Sequence, residues 1–111
     1  MTGDGEDELM RALRRDYLAE SAERIAELQA DLARLRGGAA DAAAALKGRL
    51  HRLAGSGGSY GFPEVSAIAG EAERWLGGGP APGAIVARME QAVARLEAEF
   101  ERARTAANAK R

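Results

Sequence analysis

Leu46-Lys47-Gly48-Arg49-Leu50-His51-Arg52-Leu53-Ala54-Gly55-Ser56-Gly57-Gly58 is the stretch on which both the fold and the chemistry turn. Leu46, Leu50, Leu53 and Gly57 recur at steps of four, three and four, the period of one helix face. These four cluster within roughly 60° of arc at 100° per residue, and Ala42 extends the stripe. That face is the one to bury. His51 lies about 130° from its centre, so the spacing predicts an imidazole at solvent. Its neighbours on the helix are Lys47, Gly48, Ala54, Gly55, Gly58 and Ser59. All but Lys47 are small.

Similar stripes extend outward in both directions. A helical segment is predicted from about Glu6 to Arg36, with Leu9, Leu13, Tyr17 and Leu18 opening its apolar face and Ile25, Leu28, Leu32 and Leu35 continuing it. A break near Arg14-Arg15-Asp16 would divide it into a short leading helix and a longer second one. Acidic residues crowd its start, Arg34 and Arg36 close it in keeping with the helix dipole, and Gly37-Gly38 stops it. Asp41 is the expected N-cap of the segment carrying His51. Pro63 suits the first turn of the following helix, whose stripe is Val65, Ile68, Ala69, Ala72, Trp75 and Leu76. Trp75 is expected in the core. After the break from Gly77 to Gly83, a last helix runs from about Pro82 to Ala103 or beyond. Its buried face is Ile85, Met89, Val93, Leu96 and Phe100, and the tail to Arg111 is expected to fray. Short links between one-sided helices predict an all-α fold, an antiparallel up-down-up-down four-helix bundle with room for a short extra N-terminal helix. One domain over residues 1–111, ordered from about 6 to 103, accounts for the chain, and no internal repeat is visible.

Composition narrows the function classes. The 111 residues contain no cysteine, which removes disulfides and thiolate metal sites. A formal net charge of −1 with 30% charged residues lacks the electrostatic footprint of a nucleic-acid binder. No apolar run approaches the ~18–20 residues of a membrane span. The acidic start, Asp4 to Glu8, is unlike a secretory signal. A cytoplasmic protein with no nucleic-acid or membrane partner is expected.

The single histidine limits the chemistry further. A metal site needs several ligands, and there is no second His. No Glu-x-x-His pair exists to build a di-iron bundle site. Nothing suggests the strained nucleophile or oxyanion hole of a Ser-His-Asp hydrolase. General acid–base catalysis normally requires a pocket, and a bundle this small leaves little room for one. Nucleophilic attack on a phosphoryl group presented by a partner needs only an accessible imidazole on an uncluttered surface. The glycines have two readings. If Gly48, Gly55, Gly57 and Gly58 are all helical, they cost on the order of 3–4 kcal/mol relative to alanine. Either the helix ends near Ala54 and a loop follows, or side chains are kept small so that another molecule's backbone can approach.

The stretch from Leu50 to Phe62 resembles the signature of histidine-containing phosphotransfer domains: His-x-Leu-Lys-Gly, five variable and mostly small residues, then Gly. His51, Leu53, Gly55 and Gly61 stand at the family positions, and Val65, Ala72 and Glu73 match further apolar and Glu positions. The resemblance implies a four-helix bundle whose histidine exchanges phosphoryl groups with aspartates of response-regulator receiver domains, in relays fed by a sensor histidine kinase. It implies a phosphocarrier without kinase or phosphatase activity of its own. It needs no cofactor, Mg²⁺ being expected only in the partner receiver. By the same resemblance His51 is the phosphoacceptor through Nε2. Gly55 admits the receiver, with Gly48, Ala54 and Gly58 completing the access surface, and Ser59 hydrogen-bonds near the imidazole. One departure stands out. The family commonly has Lys three residues after the histidine, where this chain has Ala54. Lys47 is the first substitute and Arg52 the second. A monomeric, free-standing carrier is the expectation. The competing readings are a degenerate domain that docks receivers without accepting phosphate, and a structural bundle that binds a partner.

Overall fold

A computed structural model describes residues 2–78 and 82–109. Five helices follow one another: α1 (Thr2–Ala19), α2 (Ser21–Arg36), α3 (Ala42–Ser59), α4 (Pro63–Gly77) and α5 (Pro82–Ala109). Helices α2 to α5 each pack on the next, and α5 closes back on α2. Partners across the helices run in opposite directions. Arg34 meets Asp41 while Arg49 meets Glu27, and Arg36 meets Glu90 while Arg104 meets Ser21. These pairs make α2 antiparallel to both α3 and α5. The fold is therefore the expected all-α four-helix bundle, with α1 added. The breaks expected at Gly79, Pro80 and Ala81 and the tail residues Lys110 and Arg111 lie outside the described residues.

The core follows the predicted stripes. Ala42, Leu46, Leu50, Leu53 and Gly57 of α3 are buried, as are Val65, Ile68, Ala69 and Ala72 of α4 and Met89, Val93, Leu96 and Phe100 of α5. Trp75 departs from expectation. It is only partly buried, at the edge of the core, with the Arg88 guanidinium 3.8 Å from its ring centroid. The last helix runs beyond Ala103 to Ala109.

The break in the first segment falls at Glu20, later than Arg14–Asp16. Ser21 follows it, its hydroxyl fully buried and donating to the Leu18 carbonyl at 2.6 Å. The leading helix is consequently 18 residues long, starting at Thr2, and not short. Its two ends differ. Tyr17 and Leu18 are buried, whereas Leu13 is exposed and Leu9 is 62% exposed, so the first half of the expected apolar stripe covers no core.

Asp41 precedes α3 but makes no side-chain cap. Its carboxylate bonds Arg34 of α2 instead, which holds its pKa below the usual carboxylate range. The Gly37-Gly38 stop is as expected. Gly38 has φ +81°, and the Ala39 N–H donates to the Arg34 carbonyl at 3.0 Å, the six-to-one bond of a Schellman cap.

Candidate functional site

Helix α3 does not end at Ala54. It runs unbroken through Gly55, Ser56, Gly57 and Gly58 to Ser59. The three glycines therefore need separate explanations. A Cβ on Gly57 would stand 3.0 Å from Val65 Cγ1 and 3.1 Å from the Ser66 backbone nitrogen. Gly57 is thus the point where α3 and α4 touch backbone to backbone. A Cβ on Gly58 would meet only Ser66 Oγ at 3.5 Å, an ordinary contact. A Cβ on Gly55 would meet nothing within 4 Å. No contact within the fold requires glycine there.

The end of α3 is a second Schellman cap. The Phe62 N–H donates to the Gly57 carbonyl at 2.7 Å and the Gly61 N–H to the Gly58 carbonyl at 3.3 Å. Gly61 takes φ +82°, which side chains resist. Arg14 of α1 adds a cation at this negative helix end, its Nε donating to the Tyr60 carbonyl at 2.8 Å. α1 thereby holds the terminus of the helix that carries the histidine.

His51 projects from the middle of α3 with 75% of its side chain exposed. Its Nδ1 lies 2.9 Å from Oε2 of Glu73 on α4, a carboxylate only 24% exposed. A carboxylate only accepts, so Nδ1 carries the proton and donates it. In the neutral ring Nε2 then keeps its lone pair, directed away from the protein. The Gly57 contact permits this pair, because a long carboxylate arm reaches the neighbouring helix only where the helices lie close. Ser66 ties the same seam, its hydroxyl donating to the Ala54 carbonyl at 2.7 Å. The arrangement can present an oriented nucleophile to another molecule.

The residues expected around the imidazole divide. Ala54 is partly buried between the helices, and Gly55 and Gly58 lie exposed on the same side of α3 as His51. Lys47 is exposed one turn before His51, but its Nζ reaches to 3.6 Å from where a Gly77 Cβ would be, at the end of α4. Arg52 bends back over Gly48, with Nη1 3.5 Å from the Cβ position there, and lines a hollow between α2 and α3 with Arg24, Glu27 and Arg49. Ser59 is the last residue of α3. It stands eight residues and about 12 Å of helix rise beyond His51, so the imidazole's hydrogen bond goes to Glu73 and not to Ser59. Glu73 matches the family pattern, but its contact with His51 depends on the register of two helices. Arg14 and Ser66 carry no comparable signal in the sequence.

Compared with protein families, the chain matches the Hpt domain over residues 12–106. No curated protein and no solved structure matches the chain.

Proposed function

The chain belongs to the Hpt domain family, and on that footing we propose that His51 is its phosphoacceptor, passing phosphoryl groups to and from receiver-domain aspartates. Hpt domains serve histidine phosphotransfer in phosphorelays, working with receiver domains and histidine kinases, and they are carriers without kinase or phosphatase activity. Among the described residues, no helix is long and apolar enough to cross a membrane. The observation that supports the assignment most strongly is the 2.9 Å contact from His51 Nδ1 to Glu73.

The chemistry follows from that contact. Nε2 attacks the phosphorus of an aspartyl phosphate on the receiver. The N–P bond forms as the P–O bond to the aspartate breaks, and the aspartate leaves as a carboxylate with the bonding pair. The imidazole becomes cationic with its proton still on Nδ1, donated to Glu73. Transfer onward reverses each step. Positioning and charge stabilisation do most of the work in such a transfer, and the receiver brings its own acidic pocket and Mg²⁺. This protein contributes the nucleophile, its orientation and a face free of obstructing side chains.

Mixing the protein with phosphorylated receiver domains tests the assignment. Acid-labile, base-stable label is expected on the wild type and none on His51→Gln. Equal labelling of His51→Gln, or no label on the wild type with a broad set of receivers, would overturn it.

A further inference from the structure

A phosphoryl group on an exposed imidazole adds nearly two negative charges and three acceptor oxygens. Such a group is best met by a guanidinium, which donates two parallel hydrogen bonds. Position 54 offers only a methyl group, so the cation has to come from elsewhere in the fold. The seam between α3 and α4 shows where. Lys47 meets Gly77, His51 meets Glu73 and Gly58 meets Ser66. This register sets Gly70 of α4 level with Ala54 of α3. Residues Ser66, Glu73 and Gly77 face α3. At 100° per residue, Gly70 and Arg74 come next around α4, toward the solvent side.

Arg74 is exposed, at the edge of a hollow it lines with Glu71, Trp75 and Gly78, and its Nη1 lies 3.7 Å from where a Gly70 Cβ would be. The side chain is laid along α4 toward the level of Ala54, immediately beside the carboxylate-bearing residue that holds His51. Among the described residues Arg74, like Lys47 and Arg52, makes no salt bridge, whereas Arg34, Arg36 and Arg49 are each bound to carboxylates. Along this seam Ala54 contributes only a methyl group, and Gly58 and Gly70 carry no side chain. The alternatives point elsewhere. Arg52 turns over Gly48 into the hollow shared with α2, and Lys47 sits at the C-terminal end of α4, where the helix dipole favours a cation.

We propose that Arg74 binds the phosphoryl oxygens on His51, supplying from α4 the positive charge that α3 lacks at Ala54. The inference rests on His51 being the phosphoacceptor. Glycine at 70 then has a purpose, since a side chain there would stand between the guanidinium and the seam.

The test needs no partner for its first step. Phosphoramidate phosphorylates the protein as its P–N bond breaks, ammonia leaves and the Nε2–P bond forms. The second ionisation of the phosphoryl group is then followed by ³¹P NMR in the wild type and in the Arg74→Gln, Arg74→Lys, Lys47→Gln and Arg52→Gln variants. All three sites are exposed, and circular dichroism confirms that each variant is folded. Arg74→Gln is expected to raise the phosphoryl pKa and to shift the transfer equilibrium about fivefold toward an added receiver. Arg74→Lys should recover part of both effects, and the other two variants should resemble wild type. If Arg74→Gln titrates like wild type, or Lys47→Gln or Arg52→Gln produces the whole effect, the inference fails while His51 stands. If the wild type takes no phosphoryl group, or His51→Gln takes as much, both fail.

Discussion

At the scale of single residues, the decisive contact is between a largely exposed histidine and a largely buried glutamate. In the phosphotransfer proposed for His51, Glu73 selects the nitrogen that reacts by holding the proton of the other one, 2.9 Å away. Without it, the proton distributes between the two nitrogens, and in most neutral imidazoles in solution it sits on Nε2, which is then not nucleophilic. Glu73→Ala is therefore expected to slow phosphorylation of His51 by up to about tenfold, while ¹⁵N chemical shifts show the Nε2-protonated tautomer gaining population. An unchanged rate and unchanged ¹⁵N shifts would mean that the contact does not set the tautomer. The exposure of His51 was legible in the sequence, because it follows from the period of Leu46, Leu50 and Leu53 within one helix. The action of Glu73 was not, since it depends on which turn of α4 faces which turn of α3.

At the scale of the element, α3 shows glycines of one helix answering to different demands. Gly57 is required by a neighbouring backbone 3.1 Å from its Cβ position. Gly61 is required by a left-handed cap with φ +82°. Gly55 is required by nothing inside the fold. Alanine should separate the first and last cases by sign. Gly55→Ala should stabilise the protein by roughly 0.5–1 kcal/mol through helix propensity. It should also slow transfer from a receiver while leaving phosphorylation by phosphoramidate unchanged. Gly57→Ala should destabilise by about 1–3 kcal/mol, because α4 has to move away from α3. Urea unfolding measures both, and a destabilising Gly55→Ala would contradict the open surface described here. The sequence left two readings of this Gly-rich run, a loop or a helix with a close approach. Composition could not decide between them, because a glycine that weakens an isolated helix also permits the packing that stabilises it. The same dependence on tertiary contact explains the other local departures. Asp41 has the chemistry of a cap but meets Arg34, and Ser21 turns its buried hydroxyl to the Leu18 carbonyl.

At the scale of the molecule, the four apolar stripes were enough to specify the bundle, and α1 is the part they described least well. Its apolar positions Leu9 and Leu13 lie outside the buried core, while Arg14 and Tyr17 join it to the end of the bundle. Tyr17 stacks on Phe62 at 5.5 Å, approaches Tyr60 and Phe100, and shares a 2.8 Å hydrogen bond with Ser56. Burial raises its phenol above the ordinary 10.0. In the unfolded chain the same group ionises near its ordinary value, so above about pH 10 the unfolded state holds fewer protons than the folded one and stability falls as pH rises. Between about pH 8 and pH 11, Tyr17→Phe should lose less unfolding free energy than wild type, and equal losses would show that Tyr17 is not the linked group. The whole arrangement, from the α1 clamp through the close α3–α4 seam to Glu73, converges on one atom, Nε2 of His51. The most direct measurement is a ¹⁵N–³¹P NMR spectrum of the phosphorylated protein labelled with [¹⁵N]histidine. The account predicts one-bond coupling of phosphorus to Nε2 with the proton retained on Nδ1. Phosphorus on Nδ1, or on a residue other than His51, would contradict it.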